Sequence, residues 1–504
     1  MQFLGELFRW GRDPTVAKVS TDEVYPLYWM DQLAAGRESV LSETLRYNQV
    51  LDPNKLHDGL TSLIQHGDWR KIGGRLRLRP DGTVEVHVPR EFTKDRPAVQ
   101  FTSKNYDIPI EDHKIGSQLP KLGKGPSLQP GPKSFDQFNP IEDVPETLKD
   151  YIHCDRPILR LHVTSFTNST LVTLVWPHVI AGGLGIKEII GAWSKALHGD
   201  EERPALLGTH EDILKDAGAG EDEKIPYHLE GTEIKGWGFI KLVINLIWSV
   251  FMHPTVESRS MCLPREFVAR LRETCLQELR DSYDGPDKPF LSEGDVIEAW
   301  GSRFVGQARG GERSGLIITS LDVQSRLTAP WRTDGVYVQN TAGCVFTSIP
   351  PEDLLRKPLG ELAHFIRKSI HTAATDEQMR AQLRIFRTLG HTKSIPLYGD
   401  PNCHLMSCSN WTKFGIINAA DFSPAVVPNS PSRSDGVAPA GKPAYLHCQA
   451  LGENKLLRNC FNVTGKDWDG NYWITVFFYP EDWAKLEAYM EETVQRIKDT
   501  KMPS

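Results

Sequence analysis

LVTLVWPHVIAGGLGIKEIIGAW, residues 171–193, decides how the rest of the chain is read. Leu171–Trp176 reads as a buried strand. Pro177 removes a ladder donor and ends it. One histidine follows, His178, and then a glycine-rich turn with Gly182, Gly183 and Gly185. Ile186–Trp193 reads as a helix. A strand that ends on Pro-His and gives way to glycines puts an imidazole at the rim of a sheet. It sits there on a turn that other backbone or a ligand can approach closely. This is the best candidate for chemistry in the sequence.

Working outward, Pro157–Phe166 pairs with Leu171–Trp176 as a hairpin through Asn168-Ser169, so the second strand of the pair delivers His178. Residues 24–34 lead into a helix, Ser42–Val50 alternates like a strand, and Leu56–His66 reads as a helix opened by Asp52-Pro53. Arg75–Arg79 and Thr83–Val88 form a hairpin around Pro80-Asp81-Gly82, and its basic outward face reads as solvated surface. In the second half, Ser292 is the expected N-cap of a helix over Val296–Gln307, with Asp295 at the third position. Strands are expected over Leu316–Val323, Val336–Ile349 (bent at Thr341–Gly343), His404–Trp411 and Tyr472–Phe478. Helices are expected over Glu361–Ala373 and Glu481–Lys498. Both halves mix strands and helices, without the regular spacing of a parallel doubly wound sheet. A chain of 504 residues exceeds one core. We read an N-terminal domain over 1–215, a crossover over 216–258 and a C-terminal domain over 259–504.

Bulk properties exclude several classes. A formal charge of −7 with scattered basic residues leaves no footprint for nucleic acid. The eight cysteines are dispersed, and Cys403 and Cys408 have no matching second pair, so no metal site is expected. The N-terminus lacks an h-region and cleavage site, which points to a cytoplasmic protein with reduced thiols. The apolar run 236–252 is interrupted by Lys241 and Asn245 and is too short to span a bilayer. It reads as a buried or interdomain helix, with membrane association as the lesser alternative and no stable membrane insertion.

Four segments, taken in order, resemble the BAHD-type superfamily of acyl-CoA-dependent acyltransferases, most like its fungal members. Residues 176–185 sit where that family has HxxxD. Residues 291–296 resemble the helix start early in its second half. Asp322–Leu327 followed by Gly335–Asn340 resembles its D-x-R-x-R-L and G-Y-x-G-N strands. Ser409-Asn410-Trp411 and Asp421-Phe422-Ser423 sit at its serine-tryptophan strand and DFGxG motif. Three positions depart: Gly182 replaces the aspartate of HxxxD, Gln324 the first arginine, and Ser423 the first glycine of DFGxG. The resemblance implies an α/β fold of mixed sheets, in two chloramphenicol-acetyltransferase-like halves with a tunnel between them.

It also implies the chemistry. Acyl transfer from a thioester needs a base for the attacking hydroxyl and donors for the oxyanion. His178 is the expected base. Asn340 and Thr341 are candidates for oxyanion or substrate bonds, and Ser409 and Trp411 for the lining near acyl-CoA. Asp421 is a structural motif residue, as is the departed position Gly182. Loss of the aspartate at 182 together with the arginine at 324 would leave no buried charge unpaired. The expected reaction moves an acyl group, acetyl for preference, from acyl-CoA to a hydroxyl of a hydrophobic specialised metabolite. Acyl-CoA is a co-substrate, no cofactor is tightly bound, and a monomer suffices. The departure at Gly182 leaves two alternatives open: a CoA-independent cyclisation, isomerisation or elimination in the same tunnel, or a non-catalytic binding relative.

Overall fold

A computed structural model describes residues 16–139, 143–199, 203–280, 289–328, 331–433, 438–452 and 457–499. Part of the 423–443 loop and the extreme N-terminus therefore lie outside the described residues.

The expected hairpin is present. Arg160–Ser165 and Thr170–Pro177 pair antiparallel, with Val163 opposite Val172. Every residue of both strands is buried, as a central hairpin covered on both faces requires. They belong to a five-stranded sheet in the order Pro443–Ala450, Val40–Tyr47, Thr170–Pro177, Arg160–Ser165, Gln100–Asn105. Only the last pair is parallel. The helix Gly183–Leu197 packs beside the helix Pro53–Ile64 over this sheet, and the buried Trp193 indole donates to the Leu56 carbonyl at 3.0 Å. A first hydrophobic core lies between these layers.

The second sheet has seven strands, in the order Ala342–Ile349, Gly315–Asp322, His404–Asn410, Cys460–Lys466, Tyr472–Phe478, Glu257–Leu263, Ser127–Pro130. Four helices, Arg265–Arg280, Glu293–Arg309, Leu359–Ala373 and Trp483–Asp499, bury a second core with it. The Ser292 cap forms as expected: its hydroxyl accepts from Asp295 N at 3.2 Å, and Asp295 Oδ2 accepts from Ser292 N at 2.7 Å.

The halves exchange strands. Pro443–Ala450, late in the chain, is an edge of the first sheet, and Ser127–Pro130, early in the chain, is an edge of the second. A parallel pair, Ala205–Leu207 with Gly335–Tyr337, adds a third tie. Each exchanged strand covers an edge that would otherwise offer unpaired backbone groups.

Residues 24–34 run to the short helix Ala34–Arg37, but Glu23–Pro26 is first a strand, paired with Val84–Val88. Two expectations are corrected. The hairpin arginines Arg75 and Arg77 are buried rather than solvated, since Asp155 sits against both guanidinium groups. The helix Trp237–Met252 exists, but it is neither buried nor interdomain. Leu242 is its one buried residue, and most of its large apolar side chains face outward.

Candidate active site

His178 sits where the Thr170–Pro177 strand ends. Its backbone N–H donates to the Ser39 carbonyl at 2.9 Å, and Ser39 leads into the adjacent Val40–Tyr47 strand. The turn beyond it is stapled twice. Ile180 N donates to the Pro177 carbonyl at 3.0 Å, and the buried Trp176 indole donates to the Ala181 carbonyl at 2.9 Å. One face of the imidazole lies against Gly36, whose backbone turns at φ +89°. A Cβ there would stand 3.4 Å from ring atoms, on a backbone that L side chains rarely adopt, so glycine lets the main chain itself form the wall. Burial pushes the imidazole below its ordinary pKa, and a hydrogen bond to its own carbonyl partly offsets this. The ring is therefore neutral at pH 7 and able to accept a proton.

The missing aspartate has a substitute in space. Within 4 Å of a Cβ built on Gly182 stand only the Asn340 Oδ1, at 3.1 Å, and the His178 Cε1, at 3.8 Å. No arginine atom lies within 4 Å of that built Cβ. Asn340, from the second half of the chain, fills the room, and its Nδ2 donates to the His178 carbonyl at 3.0 Å. Asp31 holds Asn340 in turn. Its Oδ1 accepts from Asn340 N at 2.8 Å and from Asn340 Nδ2 at 3.0 Å, while its Oδ2 accepts from Tyr28 N at 3.0 Å. Burial raises the Asp31 carboxyl above its usual range, against the pull of Lys71 and of these bonds.

This arrangement engages the donors of Asn340 and Thr341, the two candidates for oxyanion or substrate bonds. A primary amide has two protons, and both protons of Asn340 are engaged by Asp31 and the His178 carbonyl. The Thr341 hydroxyl donates to Asp322 Oδ1 at 3.1 Å, so its proton is engaged too. Both residues shape the site, and neither offers a free donor to it.

The glycine turn lets the second half approach closely. A Cβ at Gly185 would stand 2.4 Å from the Val338 carbonyl oxygen, which no relaxation of a side chain could relieve. Gly183 lies under the Trp411 ring, 2.8 Å from its built Cβ. Trp411 also borders a cavity of about 460 Å³ with Thr412, Arg265, Lys466, Glu293 and Trp468. His178 is not among its lining residues, so Trp411 is what the cavity and the turn share. Ser409 stands two residues earlier, on the strand His404–Asn410, half-buried and in register with Asn462.

Asp421 lies at the far end of the site helix. Its backbone carbonyl accepts from the Ser194 hydroxyl at 2.8 Å and its Oδ1 accepts from Ser423 N at 3.1 Å. Burial works to raise this carboxyl. The Ser423 bonds, Lys442 and His198 outweigh it and hold the pKa below the ordinary value. Asp421 therefore fastens the loop after the Trp411 strand, away from the imidazole.

Sequence reasoning missed Asp31 and Gly36. Asp31 is 309 positions from its partner, and no spacing rule connects them.

Two interlocked mixed-sheet halves, with a neutral histidine on a strand-end turn at their seam, define a two-half acyltransferase of chloramphenicol-acetyltransferase type. Known proteins agree. The chain is 57% identical over 483 residues to acetyltransferase pyiB of Pyricularia grisea, covering 95% of this chain and 96% of that one. It is 33% identical over 495 residues to acetyltransferase BOT5 of Botryotinia fuckeliana, covering 93% and 90%. The fold matches that of TRI101 of F. sporotrichioides, crystallised with coenzyme A and T-2, at a TM-score of 0.65, 16% identity and coverage of 94% and 98%. No family model matches the chain. The chain belongs to the BAHD-type superfamily of acyl-CoA-dependent acyltransferases, among its fungal acetyltransferases.

Proposed function

We propose that this protein transfers an acetyl group from acetyl-CoA to a hydroxyl of a hydrophobic specialised metabolite, with His178 as general base. The observation that carries the reading is the imidazole itself. It stands at the seam of the halves, neutral at pH 7, on a turn fixed by the Asn340–Asp31 clamp. In the proposed reaction the free ring nitrogen takes the acceptor's hydroxyl proton as its oxygen attacks the thioester carbonyl. The tetrahedral adduct collapses with cleavage of the C–S bond. The imidazolium then returns the proton to the departing thiolate, giving ester and free coenzyme A.

The clamp takes over the task of the aspartate at 182: it aims the turn without placing a charge beside the base. Trp411 and Ser409 are proposed to border the path of the thioester arm. The acceptor class is supported by the relatives, since TRI101 was crystallised with both coenzyme A and T-2. His178 and Asn340 belong to one chain, so a monomer completes the site.

Acetyl-CoA and a panel of apolar alcohols, with free thiol release as readout, test the proposal. His178→Ala should slow thiol release by about 10²–10⁴-fold, while coenzyme A still raises its melting temperature. A wild-type protein that releases no thiol and is not stabilised by coenzyme A would overturn it. Conversion of a metabolite without coenzyme A, lost in His178→Ala, would replace it with a proton-transfer reaction in the same site.

A further inference from the structure

The helix Trp237–Met252 is built inside out. Two of its polar side chains, Asn245 and Ser249, face the protein. Asn245 Nδ2 reaches Asn402 Oδ1 at 3.5 Å, and the Ser249 hydroxyl shares a 2.7 Å bond with Tyr479 and accepts from Arg458 Nη1 at 3.0 Å. Gly238 lies against Pro401, and Leu242 is the only buried residue of the helix. The opposite face carries Trp237, Ile240, Ile244, Ile247, Trp248 and Phe251, spaced so that they form one stripe along the axis. Trp237 is 85% exposed, Trp248 62% and Phe251 73%. Among the described residues, eight of the fourteen exposed large hydrophobic side chains sit on this single helix. Scattered apolar exposure is ordinary for a soluble surface, whereas a contiguous stripe calls for something to cover it.

Charge and shape say what covers it. Between Glu233 and Glu257 the chain has no acidic residue, although the protein as a whole carries a net −7. Lys241 is exposed on the flank of the stripe, one turn from Trp237, and has no ion pair among the described residues. Tryptophans stand toward both ends, the placement favoured where a helix meets the headgroup boundary of a bilayer. The apolar surface is one helix wide. A second copy would need a broader face, since stable protein interfaces bury about 800 Å² on each side. A deformable lipid surface needs only the stripe. Sixteen residues reach about 24 Å, so the helix lies in the plane of the interface. No helix of the described residues is long and apolar enough to cross a membrane.

We propose that the helix Trp237–Met252 docks the protein onto an anionic membrane surface, inserting its tryptophan–isoleucine stripe at the headgroup boundary. The full chain, purified without detergent, should float with vesicles of phosphatidylcholine and phosphatidylserine. It should bind less to phosphatidylcholine alone and less again at high salt. The double variant Trp248→Ser/Phe251→Ser should lower the floated fraction about tenfold or more, with an unchanged melting temperature because both side chains already face solvent. Lys241→Glu should weaken binding to the anionic vesicles. Failure of the wild-type chain to float would overturn the proposal. So would concentration-dependent self-association that the double variant abolishes, which would assign the stripe to a second copy.

Discussion

At the scale of single residues, Glu43 is the side chain whose environment conflicts most with its chemistry. It lies on the Val40–Tyr47 strand opposite Leu174 and Cys448, and neither carboxylate oxygen has a hydrogen-bond partner among the described residues. Burial pushes its pKa from 4.5 up to about 8, so it is protonated in the folded protein at pH 7. The unfolded chain ionises earlier. Stability is therefore full below the unfolded value and declines as pH rises through that window, by up to about 1.4 kcal/mol per pH unit for this one group. Glu43→Gln removes the decline. The melting temperature of the variant relative to wild type should rise steadily between about pH 5 and pH 8; a constant difference would show that Glu43 finds a partner. Little of this was legible in the sequence, because one acidic residue in an alternating strand gives no sign of which face it takes. His178 was legible because proline and glycines punctuate the chain around it. Asp31 was not, because a clamp between residues 31 and 340 exists only after the halves have met.

At the scale of elements, strands and caps followed their local chemistry, and the turn at 178–185 shows where local reading stops. Its glycines read as room for close approach, but only packing names what approaches: the Val338 carbonyl, the Trp411 ring and the Asn340 amide. Restoring the family's aspartate should therefore do harm. In Gly182→Asp the new Cβ would press on Asn340 Oδ1 at 3.1 Å. The carboxylate would enter a half-buried site already holding Asp31 behind Asn340, with no arginine atom within 4 Å of the built Cβ. Repulsion and desolvation both make that charge destabilising. We expect Gly182→Asp to lower both the melting temperature and the rate of thiol release, the rate by about tenfold or more. Gly182→Ala, which asks Asn340 to give by only a few tenths of an ångström, should lie between it and wild type. Full activity in Gly182→Asp would show that Asn340 does not aim the turn. The helix Trp237–Met252 illustrates a different limit. A run this apolar reads as core, and periodicity cannot tell which side of an almost wholly apolar helix meets solvent.

At the scale of the whole molecule, the two-half architecture was legible from the mixture of elements, but the interlocking was not. Neither Ser127–Pro130 nor Pro443–Ala450 carries a pattern that names its sheet, and each is placed by the edge it covers. The exchange makes each half incomplete. Without Pro443–Ala450, the strand Val40–Tyr47 becomes an open edge next to the strand that carries His178. Without Ser127–Pro130, the strand Glu257–Leu263 is left in the same condition. Open edges of this length invite aggregation. The first half also carries His178, the proposed base, while the second supplies the asparagine that bonds its carbonyl. A fragment ending at residue 258 should therefore fail to melt cooperatively and should be inactive, and so should its complement from 259. Co-expression of the two should recover a soluble complex with thiol-releasing activity, because the exchanged strands and the clamp can form between separate chains. A fragment that melts cooperatively by itself would mean that each half has an independent core sufficient for folding, and that the exchanged strands serve only to hold the two halves at the distance the clamp requires.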